Sequence, residues 1–100
     1  MTQTTVWGSI DLNGNIVVTG NSDFKVESAN GGQFQISFNP VFTSTPVIVG
    51  SQNNFGYLEE SNTDSVCFPV VTSSYFQVNT GTASGDLTNR TFAFIAIGNR

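Results

Sequence analysis

Residues 33–38, QFQISF, alternate without a break: Phe34, Ile36 and Phe38 point to one side, Gln33, Gln35 and Ser37 to the other. A period of two belongs to an extended strand with one buried face. The run stops at Asn39, because Pro40 has no N–H to give to a ladder. Runs of this length recur along the chain, rich in Val, Ile, Phe and Thr and separated by Gly, Asn, Ser and Asp. No stretch carries a strong apolar repeat at helical spacing, and Ala, Leu, Lys and Glu are scarce. An all-β chain is the reading that accounts for both.

The first strand is expected over residues 5–12, with Val6, Ile10 and Leu12 on one face and Trp7 on the other. Asn13-Gly14 tolerates positive φ and closes a hairpin onto residues 15–19. Further strands are read at 23–27, 33–39, 47–51, 66–71, 75–79 and 90–97. Phe42 tucks its ring under the loop between two of them. Pro69 puts the 66–71 strand at an edge or a bulge. There is no internal repeat and no linker, so the 100 residues form a single domain, 1–100. The expected fold class is all-β: an antiparallel β-sandwich of about six to seven strands sharing a core of Phe and Val.

The closing run TFAFIAIG is apolar on both faces. Phe92, Phe94 and Ala96 share one side; Ala93, Ile95 and Ile97 share the other. One side enters the sandwich. The other needs a cover, since a fully buried Ile gains about 1.5–3 kcal/mol over an exposed one. Either a loop or the N-terminal arm around Trp7 lies over it, or another copy of the chain does. A closed assembly would also hide sheet edges. The subunit-interface candidates are Trp7, Ala93, Ile95 and Ile97.

Charge narrows the partners. Net charge is −4, and Lys25, Arg90 and Arg100 are the whole cationic set. Phosphates need clustered cations, so neither nucleic acid nor an anionic membrane is expected as a partner. No apolar run reaches the roughly 18 residues of a membrane-spanning helix, and the opening MTQTTVWG is not a secretory signal. Ser, Thr and Asn total 34 residues, so hydrogen bonding carries the solubility.

Chemistry is thin. The absence of His removes the commonest general base and most catalytic zinc sites. Cys67 has no activating neighbour and reads as a small buried hydrophobe. Lys25 reads as a solvated strand end. Glu59, Glu60 and Asp64 share a polar loop, but adjacent Glu59 and Glu60 on extended backbone diverge, which does not make a glycosidase pair. Asp11, Asn13 and Asn15 have the spacing of a calcium loop, yet its Gly falls at the fourth position and Ser22 at the twelfth, so the hairpin turn is preferred. Asn89-Arg90-Thr91 fits a glycosylation sequon, a short match of little weight. No catalytic residue, metal or cofactor is expected. What remains is aromatic surface: Trp7 and Tyr57, beside Asn54 and Glu59, form the candidate carbohydrate site, because an aromatic ring stacks on a sugar's C–H face while amides and carboxylates bond its hydroxyls.

Taken in order, Gly8 to Ile10, Asn13-Gly14, Phe24 to Val26, Gly32 to Phe38, Phe42 to Ile48 and Phe92 to Gly98 resemble small β-sandwich modules of bacterial and phage proteins, found at the ends of fibre-like chains. The same order more distantly resembles the H-type lectins, with ISFNPVFTSTPVIV and FAFIAI looking like their core strands. That resemblance implies a six-stranded sandwich that forms trimers and binds N-acetylgalactosamine-like sugars at subunit junctions. Those lectins place aromatic or His sugar contacts in the connection before the last strand; here that connection is TGTASGDLTN, small and read as flexible. The resemblances imply a self-assembling structural or adhesion module, a homotrimer, on a virion or bacterial surface, with a surface glycan as the alternative partner.

Overall fold

A computed structural model of the chain describes residues 2–20, 23–53 and 63–100. Eight strands run through them, one for each segment read from the sequence, against an expected sandwich count of about six to seven: β1 (Gln3–Ile10), β2 (Ile16–Thr19), β3 (Phe24–Asn30), β4 (Gln33–Phe38), β5 (Val47–Gln52), β6 (Ser65–Val71), β7 (Tyr75–Gly81) and β8 (Phe92–Asn99). They form two four-stranded sheets, the first ordered β2-β1-β8-β5 and the second β3-β4-β7-β6. Every pairing is antiparallel. The architecture is an all-β sandwich.

Alternation selects the core. Val6 and Ile10 of β1 and Phe92, Phe94 and Ala96 of β8 enter from the first sheet. Phe24, Phe34, Ile36, Phe38, Phe76 and Val78 enter from the second, and Phe42 enters from the connection between β4 and β5. Rings from opposite sheets meet edge to face: Phe24 with Phe94 at 5.0 Å and Phe34 with Phe92 at 4.9 Å between centroids. Such pairs add about 0.5–1.5 kcal/mol beyond the area they bury. Phe42 lies under its loop as expected, 4.8 Å from Phe38.

The ends of the chain meet. Thr2 and Arg100 exchange backbone hydrogen bonds of 3.0 and 2.9 Å. The Arg100 guanidinium donates to Asp23 Oδ2 at 2.8 Å and to the Pro40 carbonyl at 2.6 Å, and sits 4.9 Å from the Phe42 ring centroid. It therefore ties β8 of the first sheet to the entry of β3 in the second.

Several expectations change. Leu12 does not face the core; it is exposed in the turn between β1 and β2, because β1 ends at Ile10. That turn is built on Asp11, whose Oδ1 accepts the N–H groups of Asn13 and Asn15, each at 2.9 Å, while Gly14 takes a φ of +85°. The carboxylate that could have begun a calcium loop is thus engaged with backbone. Cys67 is exposed rather than buried: Val66 and Phe68 take the inward positions beside it on β6. Pro69 does lie on an edge strand, at a register shift between Cys67 and Val70. The connection before β8 is tied down rather than loose. Thr80, 1% exposed, donates its hydroxyl to the Thr88 carbonyl at 2.6 Å and accepts from the Arg90 N–H.

Candidate functional site

The outward half of the first sheet is where the unexplained apolar side chains collect. Register arranges them in rungs. Trp7 stands opposite Ile95, and Ile95 opposite Val49. The next rung holds Thr5, Ile97 and Val47; the one on the other side holds Ser9, Ala93 and Ser51, with Val18 of β2 opposite Ser9. Trp7 is 41% exposed, Ile95 44%, Ile97 39%, Val49 58% and Val47 69%. The strands that make this sheet contain no Asp, Glu, Lys or Arg.

Side-chain height shapes the face. Ser9, Ala93 and Ser51 are short, while Trp7, Ile95 and Val49 beside them are tall. The short rung becomes the floor of a groove of about 570 Å³, walled by Trp7, Ile95, Val49 and Val18. Ser9 on that floor is 4% exposed, and its Oγ has no hydrogen-bond partner. Trp7 is braced from behind: a Cβ at Gly20 would fall within 2.0 Å of the indole Cε2. The residue at position 20 must therefore be Gly for the ring to lie where it does.

The opposite outer face is of another kind. On the second sheet Gln33 faces Asn79, Gln35 faces Gln77 and Ser37 faces Tyr75. Amides and hydroxyls there are suited to water, as Ile and Val are not. Lys25 and Glu27 on β3 add an exposed ion pair of 3.4 Å.

Of the interface candidates, Trp7, Ala93 and Ile95 come together around the groove, and Ile97 lies one rung away. No loop or N-terminal arm among the described residues covers them. The arm around Trp7 is β1 itself, hydrogen-bonded beside β8 rather than laid over it. Of the carbohydrate candidates, Trp7 is in the groove, whereas Asn54, Tyr57 and Glu59 lie outside the described residues. Glu60 does too. Val47, Val49, Val18 and Ser9 were not among the interface candidates, although Val47 and Val49 alternate around Ile48 much as Ile95 and Ile97 alternate around Ala96, so that the 47–51 strand too reads as apolar on both faces. What was missing was the knowledge that β5 lies beside β8.

Among the described residues no three His, Cys, Asp or Glu side chains gather in a way that could hold a metal ion. The Asn89 side chain of the sequon is engaged, its Oδ1 accepting the Gly32 N–H at 2.7 Å. Comparison of the chain with protein-family models, with curated proteins and with solved structures finds no match.

Proposed function

We propose that the chain is a non-enzymatic structural or adhesion module, carried on a phage particle or bacterial surface structure, that assembles with copies of itself through the outer face of its first sheet. Three copies is the number implied by the resemblance to H-type lectins. The observation that carries the reading is the charge-free apolar rung of Trp7, Ile95 and Val49, continued by Ile97 and Val47. Each half-exposed Ile or Val has roughly 1 kcal/mol still to gain from burial. No ionised group on the face needs desolvating to release it. The amide-rich second sheet supplies the face left to water.

Replacing Ile95 by Asp tests this. The wild-type chain is expected to show a mass well above 10.7 kDa by native mass spectrometry and sedimentation at micromolar concentration. Ile95→Asp is expected to lower that mass while moving the unfolding free energy by no more than about 1 kcal/mol, as is usual for surface positions. A wild type of single-chain mass, or a variant that keeps the wild-type mass, would overturn the reading.

A second reading, a trimeric carbohydrate-binding lectin, draws on one feature: the half-exposed Trp7 forms a wall of the groove. An exposed indole face suits stacking on a single sugar ring. A glycan array separates the two readings. Sugar-selective binding that disappears in Trp7→Ala favours the lectin; an array without sugar-selective signal leaves the structural module.

A further inference from the structure

We infer that β5 forms a second contact, distinct from the outer face, in which two copies pair their β5 edges antiparallel and join their first sheets into one. This goes beyond the face contact and rests on different atoms. The argument starts from how the four sheet edges are protected. Natural sandwiches blunt their edges with charges, prolines, bulges or shortness, since an open edge is a template for another strand. Edge β3 carries Lys25 and Glu27 and a register shift between Val26 and Ser28. Edge β6 carries Pro69 and a shift between Cys67 and Val70. Edge β2 has four residues, and its pairing with β1 also shifts. Edge β5 has none of these devices. From Val47 to Gln52 it runs in unbroken register with β8, without a charge and without a proline.

The hydrogen-bond phase shows which backbone groups are on offer. Asn53 N–H donates to the Thr91 carbonyl opposite it. Bonded and non-bonded pairs alternate along an antiparallel ladder, so Ser51, Val49 and Val47 bond towards β8, and Ile48, Gly50 and Gln52 turn their N–H and C=O groups away. The far side of β8 agrees: Thr2 and Arg100 exchange bonds, which puts the even-numbered residues of β8 on the β1 ladder. Among the described residues no backbone partner meets the outward groups of Ile48, Gly50 and Gln52.

A second β5 fits this edge. With the two-fold axis at Gly50, Gly50 of one copy exchanges bonds with Gly50 of the other, and Ile48 with Gln52. The bonded set on one strand meets the bonded set on its twin, as an antiparallel pair requires. At the axis neither copy carries a side chain on the inner face, where a Cβ at Gly50 would point towards the Phe68 ring. On the outer surface Val49 comes beside Ser51 of the second copy. No strand of this sheet carries a charged residue that would have to be desolvated in the pairing.

Amide hydrogen exchange read by NMR over a concentration series tests the pairing. The N–H groups of Ile48, Gly50 and Gln52 are expected to slow about tenfold or more as mass rises, both in the wild type and in Ile95→Asp, whose altered side chain stands on the outer face of β8, one strand in from the edge. Assembled protein in which these amides exchange at their dilute-solution rates would overturn the edge pairing and leave the face contact standing. Slowed edge amides with a mass indifferent to Ile95→Asp would support the edge and overturn the face. A single-chain mass at every concentration, with fast edge amides, would overturn both.

Discussion

Phe94→Ala is expected to remove about 3–5 kcal/mol of unfolding free energy, the usual cost of cutting a buried Phe to Ala. Domains of this kind hold about 5–15 kcal/mol in total, so the variant gives up a large share of its stability and should unfold at a markedly lower denaturant concentration. The size follows from where the ring lies. Phe94 is 2% exposed in the centre of the sandwich, with the Phe24 ring centroid 5.0 Å away and that of Phe76 4.9 Å away. Both neighbours belong to the other sheet, so the lost ring leaves a cavity at the seam between layers. Neither sheet can close it by moving alone. Urea unfolding followed by far-ultraviolet circular dichroism measures the loss. Val49→Ala, at 58% exposure, serves as the control and is expected to cost well under 1 kcal/mol in the dissociated chain. Equal costs for the two would mean that the ring cluster does not hold the layers together.

Gly32→Ala is expected to cost about 3 kcal/mol or more, and its neighbour Gly31→Ala about 1 kcal/mol. Both residues have positive φ, +61° at Gly31 and +82° at Gly32, so each substitution meets the left-handed penalty of roughly 1–2 kcal/mol. Their surroundings differ. A Cβ at Gly31 finds nothing within 4 Å, whereas one at Gly32 would lie 2.5 Å from the Thr88 nitrogen and 2.8 Å from the Thr80 carbonyl oxygen. Those two backbone atoms are bonded to each other, Thr88 N–H to the Thr80 carbonyl at 3.2 Å, and the Thr80 N–H holds the Gly32 carbonyl at 2.7 Å. The added methyl would have to push the β3–β4 turn off the 80–89 connection, and with it the Asn89 side chain that accepts the Gly32 N–H. Denaturant midpoints of the two variants make the comparison. Equal losses would remove the close packing from the explanation and leave only φ.

Much of the fold was legible because a period of two needs only neighbouring residues. Phe34, Ile36 and Phe38 announce their face without reference to the rest of the chain, and so do Phe92 and Phe94. Boundaries were less legible where the local pattern ran on past the ladder. Leu12 continues the alternation of β1 but falls after its last paired residue, and Cys67 looks apolar in VCFPVV while its neighbours take the core positions. Strand order could not be read, since which strand lies beside which depends on contacts far apart in sequence. For the candidate site this decided the outcome. Ile95 and Ile97 could be seen to need a cover from β8 alone. That Trp7 and Val49 flank Ile95 on the same rung required β1 and β5 to be its neighbours. Ser9 gave no signal, being one of many serines until its hydroxyl was found enclosed without a partner.

The neighbouring placement of Thr2 and Arg100 decides how the sandwich answers a mechanical load. β1 and β8 are adjacent and antiparallel, so traction on residues 2 and 100 is applied at one corner of the sheet and across the ladder. The rungs then carry the force in turn, Thr2–Arg100 first, and the sheet opens like a zip instead of resisting in shear.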